Sequence, residues 1–410
     1  MIKYIYKILQ TTLFTVLFSA CSTEKVEIED FQINSDNTIS ALQEIMYSST
    51  TSLSNLKDEN RYERFKIVHI SDPHISSWTA DNFASYPQNL VEAVEFSNNP
   101  NVRINALAAT GDFVNNIENT TKSEVMQFME SFISFLFTNN TIPSFICTGN
   151  HDTNMLTDNV SYYLSKQDLH NILFRKKNYS LQQPTGENYY YSDLENPMGG
   201  KIRIIALDNT DQEEFRYSSQ QLCCITQKQV DWLINTALKE GITTKHSVII
   251  LSHHPFQPFS KNQETYMCSG THLYDEKMVP DIINAFIKKE TLKRSYKTTV
   301  KPSQTIDVQA DFTNTPGEFI CYLGGHAHTI GKFEVPCNDE QGAKQIMLLA
   351  NTLSPDMQNN TYSYIERKSN STNSNSFSIY AIDTQEKQIY ITYFGAKSSS
   401  TPTIESVSYR

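Results

Sequence analysis

Apolar runs of strand length alternate with stretches of helical periodicity from residue 65 onward. The run at 65–71, FKIVHIS, reads as a buried strand, and 105–110 and 142–148 read as two more. Between them, 89–96 is amphipathic, and 123–137 places Val125, Phe128, Met129, Phe132 and Leu136 on one helical face. A helical stretch at 159–173 comes next, then 189–193 and 201–208 as a hairpin or sheet edge. A helix at 226–239 returns the chain to a strand at 247–252, and a further helix is expected at 281–289. Past another apolar run, FICYLG, the segments 331–336, 345–350, 377–383 and 388–394 alternate like antiparallel strands. Strands and helices taking turns over about 345 residues predict an α/β fold with one large core or two packed layers.

The first 64 residues follow neither period. Lys3 and Lys7 precede an apolar core at 8–18 that is broken by Gln10, Thr11, Thr12 and Thr15 and is too short to span a bilayer, which is the pattern of an export signal. Phe18-Ser19-Ala20-Cys21 resembles the lipobox of bacterial lipoproteins, with small residues before the cysteine. Cleavage there makes Cys21 a lipidated N-terminus and places the protein in the cell envelope, on the periplasmic face or the cell surface, touching the membrane through its anchor only. Ordinary secretory cleavage near Ala20 is the alternative. Residues 22–64, with one short candidate helix at 39–46, are too polar to fold alone and read as a tether. The acidic cluster Glu24, Glu27, Glu29 and Asp30 fits a solvated linker or a surface-export signal. Residues 369–378 form a polar low-complexity loop, and 398–410 read as a polar tail.

Composition narrows the partners. With 34 basic and 45 acidic residues the chain carries a net charge of −11, which argues against nucleic acid as the main partner. Of the cysteines other than Cys21, Cys147 and Cys321 lie in core strands and read as buried thiols. Cys223, Cys224, Cys268 and Cys337 lie in or near loops, where one or two disulfides could form in an oxidising compartment, and none has the paired spacing of a zinc site.

Chemistry-bearing residues recur where strands end. Ser71-Asp72-Pro73-His74 closes the first strand, and Gly111-Asp112, Gly149-Asn150-His151-Asp152, His253-His254-Pro255 and Gly325-His326-Ala327-His328 close four later ones. Singly, each is an ordinary turn. Together they converge, because strand C-termini in open α/β sheets gather at one edge. Carboxylate and amide oxygens mixed with imidazoles suit Zn, Fe, Mn or Ni.

The five stations, in this order, resemble the calcineurin-like metallophosphoesterase superfamily, over a domain at 65–397 with a cap-like insertion at 256–318. The resemblance implies a four-layer α/β/β/α sandwich of two mixed sheets flanked by helices. It implies two divalent or trivalent metal ions, one held by Asp72, His74, Asp112 and His328, the other by Asp112, Asn150, His253 and His326. The implied reaction is hydrolysis of a small phosphomonoester or phosphodiester by a metal-bridging hydroxide. Two cations fit that task, since they generate a nucleophile at neutral pH and neutralise the phosphoryl oxygens. His151 is left to protonate the leaving alkoxide or bind phosphoryl oxygens, with Asp152 to orient it or to cap the following segment. His253 is the family ligand by its distance from Pro255, which leaves His254 behind the ligands or on a turn surface. His69, His170 and His246 read as structural or exposed. Asn115 stands three places after Asp112, where purple acid phosphatases have a tyrosine, which disfavours that subgroup. The insertion carries Phe256, Phe259, Tyr266, Cys268 and His272 near a ligand, then Lys288, Lys289, Lys293, Arg294 and Lys297, as a substrate-choosing cap or a solvated helix face. A metal-stabilised binding lipoprotein on the same fold is the competing reading; the complete ligand set and His151 speak against it.

Overall fold

A two-residue ladder of β1 (Tyr47–Ser48) with β2 (Tyr62–Glu63) precedes β3 (Phe65–Ile70), whose six residues are all buried. A strand of that kind must be covered on both faces. The computed structural model describes residues 47–48, 62–74, 86–114, 121–154, 162–174, 177, 179–211, 223–256, 276–297, 305–353, 375–395 and 405–410. The export signal with Cys21, the short helix at 39–46, Asn115, and Phe259, Tyr266, Cys268 and His272 of the insertion lie outside the described residues.

After β3 come α1 (Tyr86–Asn98), β4 (Ala106–Thr110), α2 (Lys122–Asn139), β5 (Ser144–Cys147) and α3 (Lys166–Leu173). The chain continues through β6 (Tyr190–Glu195), β7 (Lys201–Ala206), α4 (Gln227–Trp232), β8 (His246–Leu251) and α5 (Met278–Lys288). It then runs through β9 (Thr291–Lys297), β10 (Thr305–Asp311), β11 (Glu318–Gly324), β12 (Gly331–Glu334), β13 (Ile346–Leu349), β14 (Ser376–Asp383), β15 (Gln388–Gly395) and β16 (Glu405–Ser408). Capping boxes at Thr121/Glu124 and Ser165/Asp168 start α2 and α3. The second of these shortens the helix expected at 159–173, because Ser165 must stay extended to accept the Asp168 N–H. The helix expected at 226–239 leaves α geometry at Leu233 and finishes as a π turn, Leu233–Ala237.

Two six-stranded mixed sheets result, ordered β16-β15-β14-β3-β4-β5 and β12-β13-β11-β8-β7-β6. Side-chain alternation splits the apolar residues into three layers. Phe65, Ile67, Ala108 and Phe145 of the first sheet meet Ile204, Ile249, Leu251 and Leu323 of the second between the sheets. On the outer face of the first sheet Val68, Ile70 and Leu107 pack against Val94, Phe132 and Leu169 from α1, α2 and α3. The second sheet's outer face sets Val248, Ile250 and Tyr322 against Val230, Ile283 and Phe286 from α4 and α5. The expected four-layer α/β/β/α sandwich is therefore the fold.

Two segments differ from their sequence reading. The end of the chain, expected as a polar tail, adds edge strand β16 to β15 and buries Tyr409, whose hydroxyl meets the Asp383 carbonyl. The described part of the insertion is scaffold. The antiparallel ribbon β9/β10 inserts Tyr296, Ile306 and Val308 into the outer core of the second sheet. Three of the insertion's five basic residues are engaged, with Lys288 paired to Asp339, Lys289 donating to the Gly317 carbonyl and Arg294 paired to Asp281, while Lys293 and Lys297 are exposed on β9.

Candidate metal centre

The five stations leave the C-terminal ends of β3, β4, β5, β8 and β11, each paired in parallel with a neighbour, so they open on one edge. Parallel bridges join the sheets at that edge, Ser71 to Thr352 and Thr148 to Asp208. The site lies where the two sheets are stitched together.

The residues expected there converge into three donor groups able to hold a metal ion: Asp72, His74 and His328; His74, Asp112 and His151; and Asp112, His253 and His326. In the first group His74 Nε2 and His328 Nε2 stand 2.9 Å apart, 3.7 and 3.4 Å from Asp72 Oδ1. In the last, Asn150 Oδ1 lies 3.0 Å from both His253 Nε2 and His326 Nδ1. Asp112 Oδ2 stands between the groups, 3.2 Å from His253 Nε2 and 3.8 Å from His74 Nε2.

The donor set asks for a cation. His253 Nδ1 meets the Thr110 carbonyl oxygen at 2.6 Å, so Nδ1 carries the proton and Nε2 turns a lone pair toward the oxygens of Asn150 and Asp112. Acceptors facing acceptors repel unless positive charge sits among them. Burial resists charge on His253, yet Asp112 and Asp72 outweigh it and lift the imidazole to about 9, so a proton is drawn to the place a metal would fill. Burial also favours the neutral acid at Asp112, but His253 and His151 hold that carboxyl well below its usual range. His326 Nε2 is buried without a hydrogen-bond partner among the described residues. These residues fit a pair of metal ions.

Backbone geometry aims the donors. Asp72, His74, Asp112, His326 and His328 all have left-handed φ, between 46° and 65°. Outside glycine that conformation costs roughly 1 kcal/mol or more per residue, and it persists where surrounding contacts impose it. Asp72 N–H donates to the Gly111 carbonyl and His74 N–H to the Asp112 carbonyl, at 3.1 and 3.0 Å. A Cβ at Gly149 would collide with the Asp112 carboxylate, and one at Gly325 with Ser71 and Asp72. Behind Asp72 runs a buried chain: Ser71 Oγ donates to Asp72 Oδ2, Thr110 Oγ1 to Ser71 Oγ, and His69 bridges Thr110 and Tyr380. His69, read as structural, is therefore part of the site's support.

Asp152 does not orient His151. Its Oδ2 accepts from Gly149 N and Asp112 N at 2.7 and 3.1 Å, and its Oδ1 from Phe113 N at 2.7 Å. The carboxylate thus staples the Gly-Asp turn to the Gly-Asn turn, and every one of these bonds goes to backbone. Burial and the Asp112 charge raise its carboxyl to about 8. His151 Nδ1 has no hydrogen-bond partner among the described residues, while its Nε2 lies 3.9 Å from Asp112 Oδ2. Burial lowers that imidazole to about 4. His254 packs its ring 4.4 Å from that of His326, inside the site and away from the surface.

The exit of β7 adds supporting residues that no metal-ligand spacing marks in the sequence. There Asn209 Oδ1 accepts the His253 N–H and Asp208 Oδ1 accepts the Thr148 hydroxyl. The available signal was five residues, Leu207-Asp208-Asn209-Thr210-Asp211, in which a buried strand turns abruptly polar. Among the described residues the loop cysteines Cys223, Cys224 and Cys337 carry free thiols, as do Cys147 and Cys321, and Cys268 lies outside the described residues. Cys223 faces Asn209 while Cys224 donates to the Asp211 carbonyl, and burial pushes the Cys223 thiol up to about 12.

Residues 65–329 match the family model for calcineurin-like phosphoesterases. No curated protein matches the chain. The matched span contains every station and covers well over half of the sequence, and buried His/Asp groups suited to metal stand at its strand ends; the chain belongs to the calcineurin-like phosphoesterase family, a family of phosphoric ester hydrolases.

Proposed function

We propose that this protein is a dinuclear metal-dependent hydrolase of a small phosphomonoester or phosphodiester, working outside the cytoplasm from a lipid anchor. The observation that carries the reading is the place of Asp112 Oδ2 between two donor groups, where one carboxylate oxygen can serve both ions. Asp72, His74, Asp112 and His328 would hold one ion, and Asp112, Asn150, His253 and His326 the other. Bound there, a metal pair supplies a nucleophile from water at neutral pH and neutralises charge on the phosphoryl group. Mixed oxygen and imidazole donors suit Mn, Fe, Zn or Ni alike.

The chain's own residues do the rest. Asp152 keeps the two turns in register through backbone N–H groups. His151 is the more open imidazole, with a side chain 23 % exposed; burial disfavours its protonated form, so it would deliver a proton to the departing oxygen only after a negatively charged phosphoester beside it had favoured protonation. A second role has its own support, since His151 also forms a donor group with His74 and Asp112. Metal content of His151→Gln separates the two: unchanged content fits the acid, loss of an ion fits the ligand.

Turnover of p-nitrophenyl phosphate and of its bis-ester by the Mn- or Zn-loaded protein is the direct test. Two bound ions with no turnover on a broad phosphoester panel would favour the binding lipoprotein instead. The envelope location is supported by Lys3, Lys7, the short apolar core and Cys21. Among the described residues no helix is long and apolar enough to cross a membrane. Lipid labelling that survives in Cys21→Ser would overturn the anchor.

A further inference from the structure

Asp208 and Asn209 are fully buried at the exit of β7, and their side chains reach a different sheet each. Asp208 Oδ1 accepts from Thr148 Oγ1 at 2.6 Å, and Thr148 lies two residues before Asn150. The same oxygen accepts both the N–H and the hydroxyl of Thr210, at 2.9 and 2.8 Å, which fixes the carboxylate within its own turn. Asn209 Oδ1 accepts the backbone N–H of His253 at 2.5 Å, while its Nδ2 donates to Ser252 Oγ and Cys223 Sγ at 3.1 and 3.2 Å. The turn is itself anchored from α4. Gln229, also fully buried, accepts from Asp208 N at 2.9 Å and donates to the Asp208 carbonyl at 3.0 Å.

We infer that the Asp208–Asn209 turn is the positioning element of the second ion: it sets the gap between Asn150, carried by the first sheet, and His253, carried by the second. The inference rests on the ligand assignment proposed above. Asn150 Oδ1 and His253 Nε2 stand 3.0 Å apart although their strands belong to different sheets and are separated by 103 residues. The Thr110 carbonyl holds the His253 ring against the first sheet through Nδ1. The turn adds what that contact lacks, bonds to the backbone N–H of His253 on one side and, on the other, to the threonine that begins the Gly-Asn turn. An apolar residue of similar volume at 209 would fill the space and leave the His253 N–H unpaired in the interior, free to tilt the imidazole. Supports of this kind change metal affinity by roughly 10–100-fold when removed.

The test uses the full chain, stripped with chelator and titrated calorimetrically with Mn²⁺, with bound metal counted by atomic emission and the melting temperature of the metal-free protein recorded. Wild type should bind two ions. Asn209→Leu should keep one at wild-type affinity and bind the other roughly 10–100-fold more weakly, with Asn209→Asp, which retains the Oδ1 acceptor, restoring most of the loss. Gln345→Leu is the structural control, because Gln345 is equally buried and hydrogen-bonded, to Tyr322 and Pro280, away from the ligands. It should lower the melting temperature and leave both affinities alone. Two wild-type affinities in Asn209→Leu, or equal weakening of both ions in step with the control, overturns the inference and leaves the ligand assignment standing. Failure of the wild type to bind a pair overturns both. Should Asn209→Leu not fold, Thr148→Val, which removes only the hydroxyl held by Asp208, carries the same outcomes.

Discussion

At the first donor group the side chains of His74 and His328 are 13 and 15 % exposed, whereas at the second His253 is fully buried with its Nδ1 held by the Thr110 carbonyl. One half opens toward solvent and the other is walled into the junction of two sheets. The Asp112 carboxylate stands between them, 3.2 Å from His253 and 3.8 Å from His74, so the contrast is one of access and support. Among the described residues the His74, His328 and His151 side is the more open to water, substrate and chelators. The second group is pre-organised by contacts made in folding, and a site whose donors need not rearrange binds more tightly and exchanges more slowly.

The largest effect should follow from removing what the halves share. Asp112→Asn is expected to lose both ions and reduce turnover to the background of the uncatalysed reaction; retention of one full equivalent of metal would mean that Asp112 serves one half only. His151→Gln should lower kcat on an alkyl phosphate by roughly 10²–10⁴-fold at unchanged metal content. The loss should be much smaller with p-nitrophenyl phosphate, whose leaving group departs without a proton, and equal losses on both substrates would count against an acid role. Stopped-flow mixing with chelator should release metal in two phases, the fast one abolished by His74→Ala and the slow one by His253→Ala. A single phase erases the contrast between the halves.

The smallest expected effect concerns the support behind Asp72. Burial holds His69 at about 3, below the 6.5 of an exposed histidine. The fold therefore favours the neutral ring: this contribution is complete above pH 6.5 and is lost as pH falls toward 3. Between pH 6.5 and 5 the metal-free protein should lose roughly 2 kcal/mol from this group alone, and His69→Gln should lack that increment in denaturant titrations. Identical pH slopes in the two proteins would remove His69 from the account.

The stations were legible because each joins a strand-length apolar run to donors in the first residues beyond it, and parallel pairing then dictates where they meet. The direction of Asp152 was not legible, because a side chain in a tight turn is aimed by whichever backbone N–H groups lie closest, and those belong to Gly149, Asp112 and Phe113. Asn209 carries no legible signal of its own, since it acts on a neighbour 44 positions away through that neighbour's main-chain N–H. The ribbon β9/β10 could have been read from the strict alternation of Ile306, Val308 and Ala310 with polar residues, a period-2 signal hidden inside a supposed insertion. Strand β16 offers little such signal: Glu405, Ser406 and Ser408 are polar, and the chain end is anchored by buried Tyr409 with half-buried Val407 packed against the same core.

Thr148 with Asp208 joins the sheets through residues 60 positions apart, whereas Ser71 with Thr352 closes the seam only when strands far apart in the sequence are in place. The first sheet brings the oxygen donors and His74; the other three imidazoles proposed as ligands arrive with the second. On the proposed ligand assignment, a chain that stops short of Gly325 lacks a donor of each half, so neither set is complete until that segment has joined the fold. Donors of this mixed kind accept several metals and would select little among the ions present when the seam shuts.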